Sequence, residues 1–104
     1  MNQTTFQVLA VLRNGSQDAG QILDALRDLL GQHEAPPLAS FYRAVKRSLE
    51  DNLIHIVGSA AGAEGPGRRS QVYAITDRGI AAAEAQAGRL RALAALALGN
   101  GGIG

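Results

Sequence analysis

LASFYRAVKRSLEDNLIHIV, residues 38–57, holds the transition on which the fold turns. Phe41, Val45 and Leu49 recur every four positions, the period of one buried helical face. Arg43, Lys46, Arg47 and Glu50 fall on the outer face, with Tyr42 at the border. Asn tolerates the left-handed backbone that ends many helices, so the spacing predicts a helix over 38–51 capped by Asn52. From Leu53 to Val57 β-branched residues take over, which predicts a strand. A basic helix thus runs straight into a strand.

Downstream, QVYAI at 71–75 is a second short β-branched run, separated from the first by a Gly-, Ala- and Ser-rich stretch at 58–70. The pair reads as a hairpin with a long tip that carries Arg68 and Arg69. Upstream, Thr4 or Thr5 is expected to cap a helix reaching Arg13, with Phe6, Leu9 and Leu12 on its buried face and Asn14-Gly15 stopping it. Ser16 or Asp18 is expected to cap a second helix over about 18–31, with Ile22, Leu26, Leu29 and Leu30 inside and Gly31 at its end. Pro36-Pro37 keeps the following turn non-helical. Thr76 is placed to cap a last helix over about 77–98. There Ile80, Ala83, Ala87, Leu90 and Ala94 alternate in steps of three and four, with Leu93 and Leu96 broadening the stripe. That spacing makes a seam for a partner helix, and a helix this long outreaches a three-helix core. The expected fold class is mainly α with a small β-hairpin: a winged helix-turn-helix over 1–76, a dimerisation helix over 77–98 and a flexible tail over 99–104.

Composition narrows the function. A chain of 104 residues with 46% apolar content is long enough for one modest core and too apolar for wholesale disorder. Cysteine is absent, which rules out a disulfide framework, a Cys-based zinc site and a thiol nucleophile. Met1 to Thr5 lacks a basic start and Arg13 breaks the first apolar run, so no secretion signal is expected. Glu84, Gln86, Arg89 and Arg91 make the last helix too polar to span a membrane. A soluble, cytoplasmic chain with no membrane partner is the expectation.

Enzymatic readings find no constellation to stand on. His33 lies in a polar turn and His55 in a strand, each without neighbours at metal-ligand spacing. No serine sits in a nucleophile elbow. GAEGPGRRS at 62–70 approaches a phosphate-binding loop, but Arg68 stands where the lysine belongs and a strand follows instead of a helix. Neither a cofactor nor a metal is expected.

Charge distribution is more informative than the net value of +1. Residues 1–37 carry two more acids than bases, whereas residues 38–79 carry Arg43, Lys46, Arg47, Arg68, Arg69 and Arg78 against four acids. A local basic footprint of this kind suits phosphate even on a nearly neutral chain. The major groove of B-DNA admits one helix, whose early side chains reach base edges while their neighbours hold phosphate. Ser40, Tyr42, Arg43, Lys46 and Arg47 supply that assortment on the third helix. Arginine suits bidentate contact with guanine, and Lys46 with the Tyr42 hydroxyl suits phosphate. Arg68 and Arg69 at the hairpin tip would reach the minor groove or flanking backbone.

ASFYRAVKRSLEDNLI, residues 39–54, resembles the recognition helix of the PadR family of winged-helix transcriptional regulators, whose pattern there is TLYPALKRLExxGLI. GRRSQVYAITDRG, residues 67–79, is similar to that family's later GRxRxxYxLTxxG element. The likeness spans about residues 6–96. It implies that Tyr42 approaches the DNA backbone, that Lys46 and Arg47 form the basic pair, that Arg68 is the wing arginine, and that Thr76 and Gly79 begin the dimerisation helix. The chain departs from the pattern at Ser40 for threonine, Arg43 for proline, Ser48 for leucine and Asn52 for glycine. The resemblance implies a homodimeric repressor bound to double-stranded DNA at an inverted repeat. Some members are released by phenolic acids or drugs held against aromatic side chains at the dimer interface. The last helix here has no aromatic residue, so a small-molecule effector and a ligand-free regulator both stay open. Two other readings also stay open, a winged-helix module for protein interaction and a DNA-organising protein.

Overall fold

The computed structural model describes residues 1–61 and 69–99. Along the chain run α1 (Gln3–Leu12), β1 (Gln17–Asp18), α2 (Ala19–Leu30), α3 (Leu38–Glu50), β2 (Ile54–Ala61), β3 (Arg69–Ile75) and α4 (Asp77–Ala97). The order is the one expected from the sequence, with β1 as an addition. Two residues are too few to carry a periodic signal, and β1 is defined only by its partner. Gln17 pairs with Tyr73 and Asp18 with Val72, so β3 is the central strand of an antiparallel sheet ordered β1-β3-β2.

The helix starts correct one capping expectation and choose between the two alternatives of the other. Asn2, not Thr4 or Thr5, caps α1, its side-chain oxygen accepting from the Thr5 amide at 2.8 Å. The buried face is therefore Thr5, Val8, Leu9 and Leu12, and Phe6 is only half-buried. Asp18 rather than Ser16 caps α2. Its carboxylate accepts from the Gln21 amide while the Gln21 side chain accepts from the Asp18 amide, a reciprocal capping box. Ile22, Leu23 and Leu26 form the inner stripe of α2. Leu29, expected inside, is 79% exposed at the rim of an open cleft between α1 and α2, and Leu30 is half-buried. The last turn of α2 overhangs the core, so its apolar period continues past the surface it packs against.

α1 is the central helix, touching α2, α3, α4 and β3. Val8 and Leu9 on α1 meet Phe41 of α3, Ile22 of α2 and Ile54 of β2 in one fully buried cluster. On α3, Phe41, Ala44, Val45 and Ser48 face inward and Leu49 is half-buried. Ser48 is fully buried and donates its hydroxyl to the Ala44 carbonyl at 2.7 Å, which satisfies a polar group in an apolar position. In the hairpin, Ile54 faces Ile75 and Ile56 faces Tyr73. A register shift between Ile56 and Gly58 leaves Val57 as an extra, half-exposed residue. The strands reach beyond the expected 53–57 and 71–75 because pairing continues into the Ala- and Ser-rich flanks.

The end of α3, the sheet and the start of α4 meet at one point. Asn52 takes a φ of 59°, turning the chain off α3. The Thr76 hydroxyl donates to the Asn52 carbonyl at 2.7 Å and accepts from the Gly79 amide at 3.0 Å. The Thr76 amide donates to the Leu53 carbonyl at 3.0 Å. A Cβ on Gly79 would overlap that same Leu53 carbonyl oxygen, so only glycine fits there. Gly79→Ala is expected to destabilise the fold by about 1–3 kcal/mol, the usual cost of overpacking against backbone. Thr76→Ala, which removes a cap, should cost about 1 kcal/mol. Urea unfolding of both variants checks this, and an unchanged midpoint for Gly79→Ala would contradict the close approach.

Candidate nucleic-acid interface

With one face of α3 buried in the core, the opposite face is left to solvent. Tyr42, Arg43, Lys46 and Arg47 are exposed, and Ser40 is half-buried beside them. Tyr42 is 52% exposed and its ring meets the buried Phe41 ring edge to face at 5.4 Å, so an apolar anchor fixes a phenol that reaches water. All five α3 residues anticipated from the sequence therefore lie together on one side of the helix.

Their charges are not equally free. The Arg43 guanidinium donates to the Ser40 hydroxyl at 3.4 Å, a long bond one turn back. Arg47 donates through Nε to an Asp51 carboxylate oxygen at 3.0 Å, an exposed i,i+4 pair. Such a pair adds little stability, but it half-neutralises Arg47 and draws it toward the end of α3. Lys46 has no ion-pair partner among the described residues. Next to this face, a groove of about 600 Å³ opens between α3 and the first turn of α1.

Tyr73 lies on the central strand β3, paired with Gln17 on one side and Ile56 on the other. It is nearly buried, and its hydroxyl donates to the Gln71 side-chain oxygen at 3.3 Å. Burial pushes its pKa above the ordinary tyrosine value, and the neighbouring Tyr42 hydroxyl adds to the rise.

Arg68 lies outside the described residues, and Arg69 opens β3. The residues expected to pair two copies divide between the halves of α4. Ala83 is buried in the core and Ile80 and Ala87 are half-buried, so the first half of the seam packs within its own chain. Arg13, the residue after α1, reaches Glu84 at 3.7 Å across this junction. Leu90, Leu93 and Ala94 remain exposed, as do Leu96 and Leu98. Among the described residues, no helix is long and apolar enough to cross a membrane.

Neither a family sequence model nor a curated protein sequence matches the chain. Solved structures do. Bacillus subtilis PadR in complex with operator DNA superposes with a TM-score of 0.71 at 20% identity, over 83% of this chain and 47% of that one. The chain has a PadR-like winged-helix fold. A PadR family transcription regulator from Clostridium difficile gives a TM-score of 0.71 at 20% identity, covering 91% of this chain and 94% of the other. A transcriptional regulator from Clostridium thermocellum gives 0.72 at 19%, covering 89% and 84%. The chain thus spans about half the length of the Bacillus PadR and most of the length of the two clostridial proteins.

The Tyr73 environment makes stability depend on pH in a defined direction. The folded chain holds the phenolic proton to higher pH than the unfolded chain does. Stability should therefore hold below the ordinary tyrosine value of about 10 and fall as pH climbs above it. Tyr73→Phe should remove that part of the fall. Urea midpoints across this range check it, and parallel declines in both proteins would contradict the assignment.

Proposed function

We propose that the chain is a DNA-binding transcriptional regulator, a homodimer that represses from an inverted-repeat operator in the cytoplasm. The observation that carries this reading is the outer face of α3. Ser40, Tyr42, Arg43, Lys46 and Arg47 project from a helix whose other face is locked into a PadR-like winged helix. A protein of the same fold, Bacillus subtilis PadR, was solved in complex with operator DNA, which supports a DNA-binding use of this fold here. In this reading Arg43 addresses base edges, Lys46 and the Tyr42 hydroxyl hold phosphate, and Arg68 and Arg69 contact flanking DNA. The pairing of Arg47 with Asp51 makes Arg47 a reserve cation, released when phosphate competes for it.

The dimer reading rests on α4. Its 21 residues span about 31 Å. Leu90, Leu93 and Leu96 are 40–60% exposed along its outer half, and Leu98 just past its end is 76% exposed. The molecule is correspondingly long, 60 × 30 × 21 Å, with a radius of gyration of 15.3 Å against about 13 Å for a compact chain of this size. A second copy paired through α4 would cover the leucines and set two α3 helices about 34 Å apart, one turn of DNA.

Selection of bound fragments from sheared host DNA, followed by anisotropy titration at two salt concentrations, tests the reading. An enriched inverted repeat with steep salt dependence is the expected result. Tight binding without enrichment would indicate a DNA-organising protein, and no binding at low salt would overturn the proposal in favour of a protein partner. On the selected site, Arg43→Ala should cost about 1–3 kcal/mol at particular base pairs. Equal loss on all sequences would reduce Arg43 to a phosphate contact. Asp51→Asn should free Arg47 and strengthen binding to unrelated duplexes, and unchanged affinity would show that the pair does not restrain it.

A further inference from the structure

The groove between α3 and the start of α1 has two unlike walls. One carries Arg43, Lys46 and Arg47, with Glu50 at its far end. The other is the first turn of α1, where Gln3 and Thr4 face the groove. α1 contains no acidic residue anywhere, although the first 37 residues as a whole are net acidic. Those acids, Asp18, Asp24, Asp28 and Glu34, all lie on α2 or beside it. The wall facing the cations is therefore uncharged and rich in hydrogen-bonding side chains.

Geometry gives this groove an occupant. An α-helix with its side chains is about 10–12 Å across and the major groove is about 12 Å wide, so a seated recognition helix has a sugar–phosphate backbone along each flank. The first turn of α1 borders one flank of α3, and the groove is the space between them. We propose that this groove receives the DNA backbone on that flank, with Gln3 and Thr4 as a second, uncharged wall opposite Lys46 and Arg47, while Arg43 reaches past it to the base edges. The proposal rests on the DNA-binding reading and adds a contact surface to it. Such a contact is blind to sequence, because it touches phosphate and sugar alone.

Gln3→Glu isolates the effect. Gln3 is the first residue of α1, where a carboxylate favours the helix dipole, so the variant keeps its fold. Asn14→Asp places the same charge about 16 Å along the axis, beyond a Debye length of about 10 Å at 0.1 M salt. The probe is a mixed-sequence duplex of about 30 base pairs, titrated by anisotropy across a range of salt. Gln3→Glu should weaken binding to unrelated duplexes alike by roughly fivefold to tenfold near 0.1 M salt, the worth of about one phosphate contact. Gln3→Lys should steepen the log–log salt slope by about 0.9, whereas Asn14→Asp should change little. Equal effects of Gln3→Glu and Asn14→Asp, with wild-type binding intact, would overturn the groove contact alone. Absence of wild-type binding at low salt would overturn the DNA-binding reading and the groove contact together.

Discussion

The contact of the Gly79 backbone with the Leu53 carbonyl is the constraint on which the rest of the molecule depends. Leu53 follows the left-handed Asn52 that ends α3, and its carbonyl also accepts the Thr76 amide. Thr76 in turn caps α4 and bonds the Asn52 carbonyl. Three elements are thus pinned within a few residues of one another: the end of the basic helix, the base of the hairpin and the root of the long helix. The angle between the candidate DNA-reading helix and the candidate dimer arm is set there. A side chain at residue 79 would push that root away from Leu53 and change the angle.

From that junction the molecule sorts its surfaces by chemistry. One side of α3 is committed to the core through Phe41, Ala44 and Val45, which leaves its cations facing outward. The acids of the N-terminal third sit on α2 or at its two ends, away from the outer face of α3. The exposed leucines Leu90, Leu93 and Leu96 recur along the outer half of α4, while Leu29, Leu38, Ile56 and Val57 are exposed singly or in pairs elsewhere. An exposed leucine stripe on a chain of this size points to burial against another surface.

Much of this was legible in the sequence because it rests on local chemistry. The period-four apolar residues of α3, the left-handed Asn52 and the Thr76 cap each declare themselves within a few residues, whereas Gly79 stood out only through the PadR resemblance and its constraint comes from the distant Leu53. The five α3 side chains could be grouped on one face by helical spacing alone. What escaped depends on partners distant along the chain. β1 exists only because Gln17 and Asp18 find β3. Leu29 keeps the apolar period of α2 but lies beyond the surface α1 offers. Asn2 caps α1 from a position before the first apolar residue, where periodicity gives no cue. The Arg47–Asp51 pair was within reach at i,i+4 spacing, yet only the structure shows the two side chains engaged. The groove between α1 and α3 joins residues some forty positions apart and had no sequence signal at all.

The central claim, that the outer face of α3 is the surface that meets DNA, is tested most directly by backbone amide NMR of the uniformly labelled protein titrated with duplex DNA. The account predicts shifts and broadening concentrated from Ser40 to Arg47 and in the first turn of α1, with the outer face of α2 unmoved. Shifts confined to α4 or to α2, with α3 silent, would contradict it.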